Sequence, residues 1–203
     1  MQSARKYNDV LLSKQLNFTN EIDDIKEGYD PYKYVHLNDG EIQVALNKEQ
    51  EHKEADFRRW LIKNKPASAV MTPIETSTAT GVPDVFTCYN GFASWLECKV
   101  TITGSGSFRG TQYVYLKKLL EAGGHAKVVV QCLNKNTYKP SNIKVYDAAD
   151  ILSIPIGLFT KQGQNLVFPK SLEPYYIWYY TKKSDKIEDL YEKLLLDTES
   201  FTW

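Results

Sequence analysis

Two stretches of this chain hold charged residues inside strand-forming surroundings. Asp84 stands in Gly81-Val82-Pro83-Asp84-Val85, and Glu97 and Lys99 stand in Trp95-Leu96-Glu97-Cys98-Lys99-Val100. Side chains alternate along a strand, so Trp95, Glu97 and Lys99 share one face while Leu96, Cys98 and Val100 share the other. The apolar set reads as core. Charges flanked this way are costly unless they are paired or coordinate a metal. Asp84 belongs to the neighbouring strand, close enough to converge on Glu97. Two carboxylates brought together from different strands repel, and a divalent cation is the usual resolution. Oxygen donors of this kind favour Mg²⁺ or Mn²⁺. A nearby ammonium adds what phosphodiester hydrolysis requires, because it orients an attacking water and opposes the negative charge of the transition state. The plainer alternative is an exposed, ion-paired sheet face, since surface salt bridges are ordinary.

The elements that must position these residues are legible from pattern. Pro83 to Tyr89 and Phe92 to Thr101 read as two strands joined at Asn90-Gly91, a strong hairpin signal. Upstream, about Lys48 to Asn64 favours helix, with Ala55, Phe57, Trp60, Leu61 and Ile62 on a buried side, Arg58, Arg59, Lys63 and Lys65 forming a basic far side, and Pro66 ending it. Ser68 to Met71 makes a short strand. Downstream, Thr103 to Thr111 is too rich in Gly and Ser to hold regular structure. Tyr113 to Ala122 is a helix with Leu116, Leu119 and Leu120 on one face, stopped by Gly123-Gly124. Lys127 to Cys132 is near-continuously apolar, the pattern of a central buried strand. Ile143 to Tyr146 is another strand, and Asp147 to Ser153 a short helix. The order implies an α/β fold with a mixed central sheet flanked by helices. Before it lie a polar arm and a hairpin over Tyr34 to Val44. After it come Asn165 to Phe168, the aromatic run Tyr175 to Tyr180, and an amphipathic helix with Ile187, Leu190, Tyr191, Leu194 and Leu195 on one stripe. The expected organisation is an N-terminal arm and hairpin (1–46), a core (47–155) and a C-terminal extension packing on it (156–203).

Pro83-Asp84 followed by Glu97-Cys98-Lys99, with a glycine ahead of the Pro-Asp and an apolar strand holding the Glu-x-Lys, resembles the signature of PD-(D/E)xK nucleases. With Gln112, its helix, Gly123-Gly124 and Val128-Val129-Val130, the pattern is similar to archaeal-type Holliday-junction resolvases and to the virus-type replication-repair nucleases (VRR-NUC). The similarity covers about Glu54 to Gln131. It implies a restriction-endonuclease-like core and a Mg²⁺- or Mn²⁺-dependent deoxyribonuclease acting on branched DNA. Asp84 and Glu97 would be metal ligands, with the Cys98 backbone carbonyl as a third donor, and Lys99 would orient or activate water. The family brings a further acidic residue on its first core helix, and Glu54 matches because Phe57 and Leu61 follow it at one and two turns; Glu51 is the reserve. It also has a glutamine near the active lysine, which Gln112 matches. Resolvases of this type are symmetric dimers, so a homodimer follows if that subtype is right. The alternatives are a restriction-like or exonucleolytic enzyme of the same fold, and a non-catalytic nucleic-acid-binding module.

Other features are weaker. The 25 Lys plus Arg balance 25 Asp plus Glu, so DNA contact must come from local patches, of which Arg58, Arg59, Lys63 and Arg109 are the candidates. Gly104-Ser105-Gly106-Ser107 with Arg109 reads as a linker or as a phosphate-contacting loop, without the P-loop pattern. The aromatic run could stack bases, although packing is its commoner use. His36, His52 and His125 lack any metal-binding or triad spacing. Cys88, Cys98 and Cys132 suit free thiols in a reducing compartment. The beginning of the chain has no apolar signal region, and no apolar run approaches membrane-spanning length, so a soluble intracellular protein is expected.

Overall fold

The computed structural model describes residues 53–75, 80–180 and 185–196, all within a unit spanning Ala45–Trp203. The expected arm, the expected hairpin with His36, the beginning of the expected first helix with Glu51 and His52, and residues 76–79, 181–184 and 197–203 lie outside the described residues.

The mixed α/β architecture expected from the pattern is present. Helix α1 occupies residues 53–63. It is followed by β1 (Val70–Pro73), β2 (Val85–Tyr89), β3 (Phe92–Thr101), β4 (Ser107–Arg109), α2 (Gly110–Glu121), β5 (Ala126–Leu133), β6 (Pro140–Asp147) and α3 (Ala148–Ser153). A 3₁₀ turn (Ile156–Leu158), β7 (Thr160–Gln162), β8 (Asn165–Val167), β9 (Tyr176–Tyr179) and α4 (Ile187–Leu195) complete the order. The main sheet runs β1-β2-β3-β5-β6-β9, with β3 and β5 parallel and the other neighbours antiparallel. Residues β4 to α2 form the crossover that a parallel pair needs.

The hairpin forms as its turn chemistry requires. Asn90 and Gly91 both take positive φ, 50° and 82°, the geometry whose twist matches that of the flanking strands. Every residue of β5 is buried, as its apolar run demands of the strand beside β3. On one face of the sheet, Leu96, Cys98, Val100, Val129, Ile143 and Val145 pack against Phe57 and Leu61 of α1 and against Leu190, Tyr191, Leu194 and Leu195 of α4. On the other, Val128, Val130 and Tyr146 meet Leu116 of α2, Ile151 of α3, and Phe108, Leu166 and Phe168 around the small sheet. The C-terminal helix thus buries its stripe against its own core. It is tied there by Tyr191, whose hydroxyl donates to Leu61 O at 2.5 Å, and by the buried Lys127, whose ammonium donates to Lys193 O at 2.7 Å. Tyr176–Tyr179 of the aromatic run pairs with β6, and Trp178 and Tyr180 pack on Trp60.

One expectation is corrected. Thr103 to Thr111 is not irregular throughout, because Ser107–Arg109 pairs antiparallel with Asn165–Val167 and α2 starts at Gly110. The reason is tertiary. Phe108 is fully buried with its ring centroid 4.9 Å from that of Phe168, and no count of local glycines registers a partner 60 residues away.

Leu190→Ala is expected to destabilise the protein by about 2–5 kcal/mol, the usual cost of emptying a fully packed leucine site. Urea unfolding measures this, and a change within about 0.5 kcal/mol would show that α4 is not part of the core.

Candidate active site

Asp84 immediately precedes β2, and the register Val85↔Leu96 sets it beside Glu97 on β3. Its Oδ2 accepts a hydrogen bond from Cys98 N at 2.8 Å, so the backbone of β3 fixes one carboxylate oxygen. Its Oδ1 faces Arg58 Nη1 at 3.4 Å. Arg58 is therefore not on a solvent-facing basic stripe with Arg59 and Lys63. Glu54 and Arg58 are one turn apart, and this spacing puts both on the side of α1 that meets the β2–β3 hairpin.

Glu97 is fully buried, and Lys99 on the same strand face is nearly so, with their charged atoms 2.7 Å apart. Glu54 Oε2 is 3.9 Å from Lys99 Nζ. Gln112 on α2 donates its side-chain amide to Glu97 Oε1. The amide is oriented from its other end, because Gln112 Oε1 accepts from Arg109 N at 2.9 Å and so caps the helix. Gln112 thus lies near Lys99, as expected, and bonds directly to the Glu97 oxygen that the lysine also meets. The loop before Asp84 is set by Gly81, whose φ is +86° and whose Cβ, if present, would lie 2.4 Å from Thr111 O. Only glycine allows that backbone to lie against the first turn of α2.

The structure therefore brings Asp84, Glu97, Lys99, Glu54 and Gln112 together and adds Arg58. Arg59 instead pairs with Asp56 on the exposed side of α1, Lys63 is exposed, Lys65 bonds Ala69 O at 2.5 Å, and Arg109 is exposed at the end of β4. His125 is exposed, and the three cysteines are free thiols, Cys98 and Cys132 buried and Cys88 partly so.

Burial pushes the Glu97 carboxyl up to about 8 against the opposing attraction of Lys99, with Asp84 and Glu54 adding to the rise. For Lys99 burial works the other way, but the three carboxylates outweigh it and hold the ammonium above the usual lysine range. Burial also pushes the Cys98 thiol up, so it is not a nucleophile. Glu97 Oε2 has no hydrogen-bond partner. An orphaned carboxylate oxygen at full burial, beside a second carboxylate, suits a hard divalent cation. Among the described residues, no three or more His, Cys, Asp or Glu side chains converge closely enough to hold one unaided. A cation here would rest on Asp84, Glu97 and a backbone carbonyl.

Fold and site together define an α/β protein with a carboxylate–lysine cluster at the hairpin edge of its sheet. No family model matches the chain, and no curated protein matches its sequence. Among solved structures it is similar to Hjc, a Holliday junction resolvase of the archaeal hyperthermophile Archaeoglobus fulgidus. That similarity has 12% identity and a TM-score of 0.39, over 58% of this chain and 86% of that one.

Because the Glu97 carboxyl in the fold holds its proton above its unfolded value of 4.5, the native state binds one more proton than the unfolded chain between about 4.5 and about 8. Its contribution to stability is full below the lower value and is lost as pH rises through the upper one. In the presence of EDTA, stability is expected to fall from pH 5.5 to 8.5, and Glu97→Gln to remove that slope. Equal slopes in urea unfolding for both proteins would contradict the assignment.

Proposed function

We propose that this chain is a divalent-metal-dependent nuclease that hydrolyses DNA phosphodiester bonds, acting as an endonuclease on branched DNA of the Holliday-junction type. The observation that carries the reading is the fully buried Glu97, with one oxygen orphaned, set between Asp84 and a protonated Lys99. Asp84, Glu97 and the Cys98 carbonyl would hold Mg²⁺ or Mn²⁺. Such an ion, when bound, polarises a phosphoryl oxygen and lowers the pKa of an attached water.

The remaining work falls to the chain itself. Lys99 keeps its proton under the pull of Glu97, Glu54 and Asp84 and presents a positive charge where the phosphorane-like transition state gathers negative charge. As an ammonium it positions an attacking water by donating to its oxygen. Glu54 steadies the lysine, Gln112 fixes the Glu97 carboxylate, and the Cys98 amide together with Arg58 fixes Asp84. A preorganised cluster of this kind spends little reorganisation energy at the moment of reaction. Arg59, Lys63 and Arg109 remain candidates for contacting the phosphate backbone. Symmetric cutting of a four-way junction needs two such sites, so a homodimer accompanies this substrate. Action inside the cell goes with the free thiols and the DNA substrate.

The test is incubation with Mg²⁺ and four-way junction, flap, single-stranded and linear duplex DNA. Junction cleavage is expected to dominate, and Asp84→Asn and Lys99→Ala each to lower its rate about 100-fold or more while circular dichroism stays native. Parent-like cleavage by Lys99→Ala would sink the mechanism. Equal cutting of linear duplex and junction would remove the preference for branched DNA, and no cleavage of any substrate would leave a binding module.

A further inference from the structure

Beside the site is a cavity of about 240 Å³ that the proposed chemistry does not use. Its position relative to the lysine follows from register. Lys99 pairs with Val130, and Val130 pairs with Lys144, so the three form one row across β3, β5 and β6 on the same face. At ~4.8 Å between strands, the Lys144 backbone lies about 10 Å from that of Lys99. The loop 103–106, one residue beyond the end of β3, covers the middle of this row. A Cβ on Gly106 would stand 2.9 Å from Val130 Cγ2 and 2.6 Å from Phe168 Cε2, so the loop backbone rests on Val130 between the two lysines. Lys144 donates to Gly104 O at 2.7 Å and anchors the far end of the loop, which leaves its ammonium two further donors.

The lining beyond the loop is mixed in a specific way. Lys144 and the exposed Lys170 supply two positive charges, and Thr103 and Ser105 supply hydroxyls. Tyr146 and Phe168, both buried in the core and packed edge to face with ring centroids 5.6 Å apart, supply its aromatic floor. Glu173 adds one carboxylate. A bare phosphate would find two cations but also that repelling carboxylate, and it would have no use for the aromatic floor. A nucleotide satisfies all of them, its phosphate on the lysines, its sugar or base against the rings, and an N–H or O–H donor toward Glu173. Lys99 and Lys144 are two strands apart in one row, close enough for a single DNA strand to reach both with nearby phosphates.

We propose that this cavity is a nucleotide subsite, in which Lys144 and Lys170 hold a phosphate of the DNA strand whose scissile bond lies at Lys99, with the loop 103–106 as the partition the strand crosses. The assignment of the phosphate to a substrate strand rests on the nuclease reading, while the affinity of the cavity for a nucleotide does not. The experiment has two arms, both without divalent metal and in EDTA. In the first, the affinity for a fluorescently labelled four-way junction is followed by anisotropy from low to moderate salt. Lys144→Ala and Lys170→Ala are each expected to weaken binding and to reduce the slope of log K against log salt by about one. In the second, thymidine 5′-monophosphate and inorganic phosphate are titrated by NMR, and the nucleotide is expected to bind more tightly, with binding lost in Lys170→Ala.

Lys170→Ala isolates charge from loop anchoring, because Lys170 sits at the exposed rim. If only Lys144→Ala changes affinity and slope, Lys144 acts through the loop alone and the subsite is overturned. If the parent cleaves DNA in Mg²⁺ but neither variant alters binding, the subsite is overturned and the nuclease reading survives. If the parent is inactive yet binds the mononucleotide through Lys170, the nuclease reading falls and the nucleotide site stands; if it neither cleaves nor binds, both fall.

Discussion

A carboxylate with no solvent exposure, on a strand hydrogen-bonded on both sides, is the constraint around which this protein is arranged. Burial of Glu97 disfavours its charge by far more than any surface interaction could return, so its neighbours are obliged to answer it. The ammonium of Lys99 answers one oxygen, and the amide of Gln112 answers the same oxygen from α2. Each answer constrains another element. Gln112 can present its N–H to Glu97 because its carbonyl is engaged in capping α2, and α2 begins where it does because its first turn lies against Gly81. The loop that carries Asp84 and the helix that carries Gln112 are thereby fixed by one backbone approach too close for any side chain. The second Glu97 oxygen is left without a protein partner inside this otherwise saturated arrangement.

The sheet makes the juxtaposition durable. Ten-residue β3 outruns five-residue β2, so the strand segment holding Cys98 and Lys99 extends beyond the last hairpin pair. Cys98 N, lacking a β2 carbonyl there, bonds the Asp84 side chain instead, and the open edge lets Glu54 and Arg58 of α1 approach. Strand alternation then divides the labour. Leu96, Cys98 and Val100 anchor β3 in the core shared with α1 and α4, and the same backbone holds Glu97 and Lys99 out of that core on the opposite face.

How much of this was legible depended on whether the signal was local. Alternation in β3, the Asn90-Gly91 turn and the apolar run of β5 are properties of a few consecutive residues, and they gave the strands and the side-chain faces directly. Glu54 followed from helical spacing to Phe57 and Leu61. Arg58, four residues after Glu54, obeys the same spacing, but its neighbours Arg59, Lys63 and Lys65 give the segment a basic composition that hides its direction toward Asp84. Gln112 lies near Lys99 as its position implies, but the Glu97 oxygen the two share depends on where the capped helix meets the sheet, which its own sequence does not carry. Ser107–Arg109 failed for the corresponding reason: its strand character comes from Asn165–Val167 and from the burial of Phe108, and neither lies in its own sequence.

The charge of the cluster bears on what it can bind. Glu54, Asp84 and Glu97 face Arg58 and Lys99, so the ionised cluster carries three negative charges against two positive and is left at minus one. With Glu97 protonated, as its carboxyl prefers below about 8, the cluster is neutral. Neither state attracts a phosphodiester, and a chain whose 25 basic and 25 acidic residues cancel offers no global field to compensate. A divalent cation entering as Glu97 loses its proton would turn minus one into plus one, in a setting where burial strengthens every charge interaction. On the proposed reading, metal and DNA backbone therefore assist each other's binding, and lysines placed along the same sheet row, as Lys144 is, extend a positive track that the cluster alone does not provide.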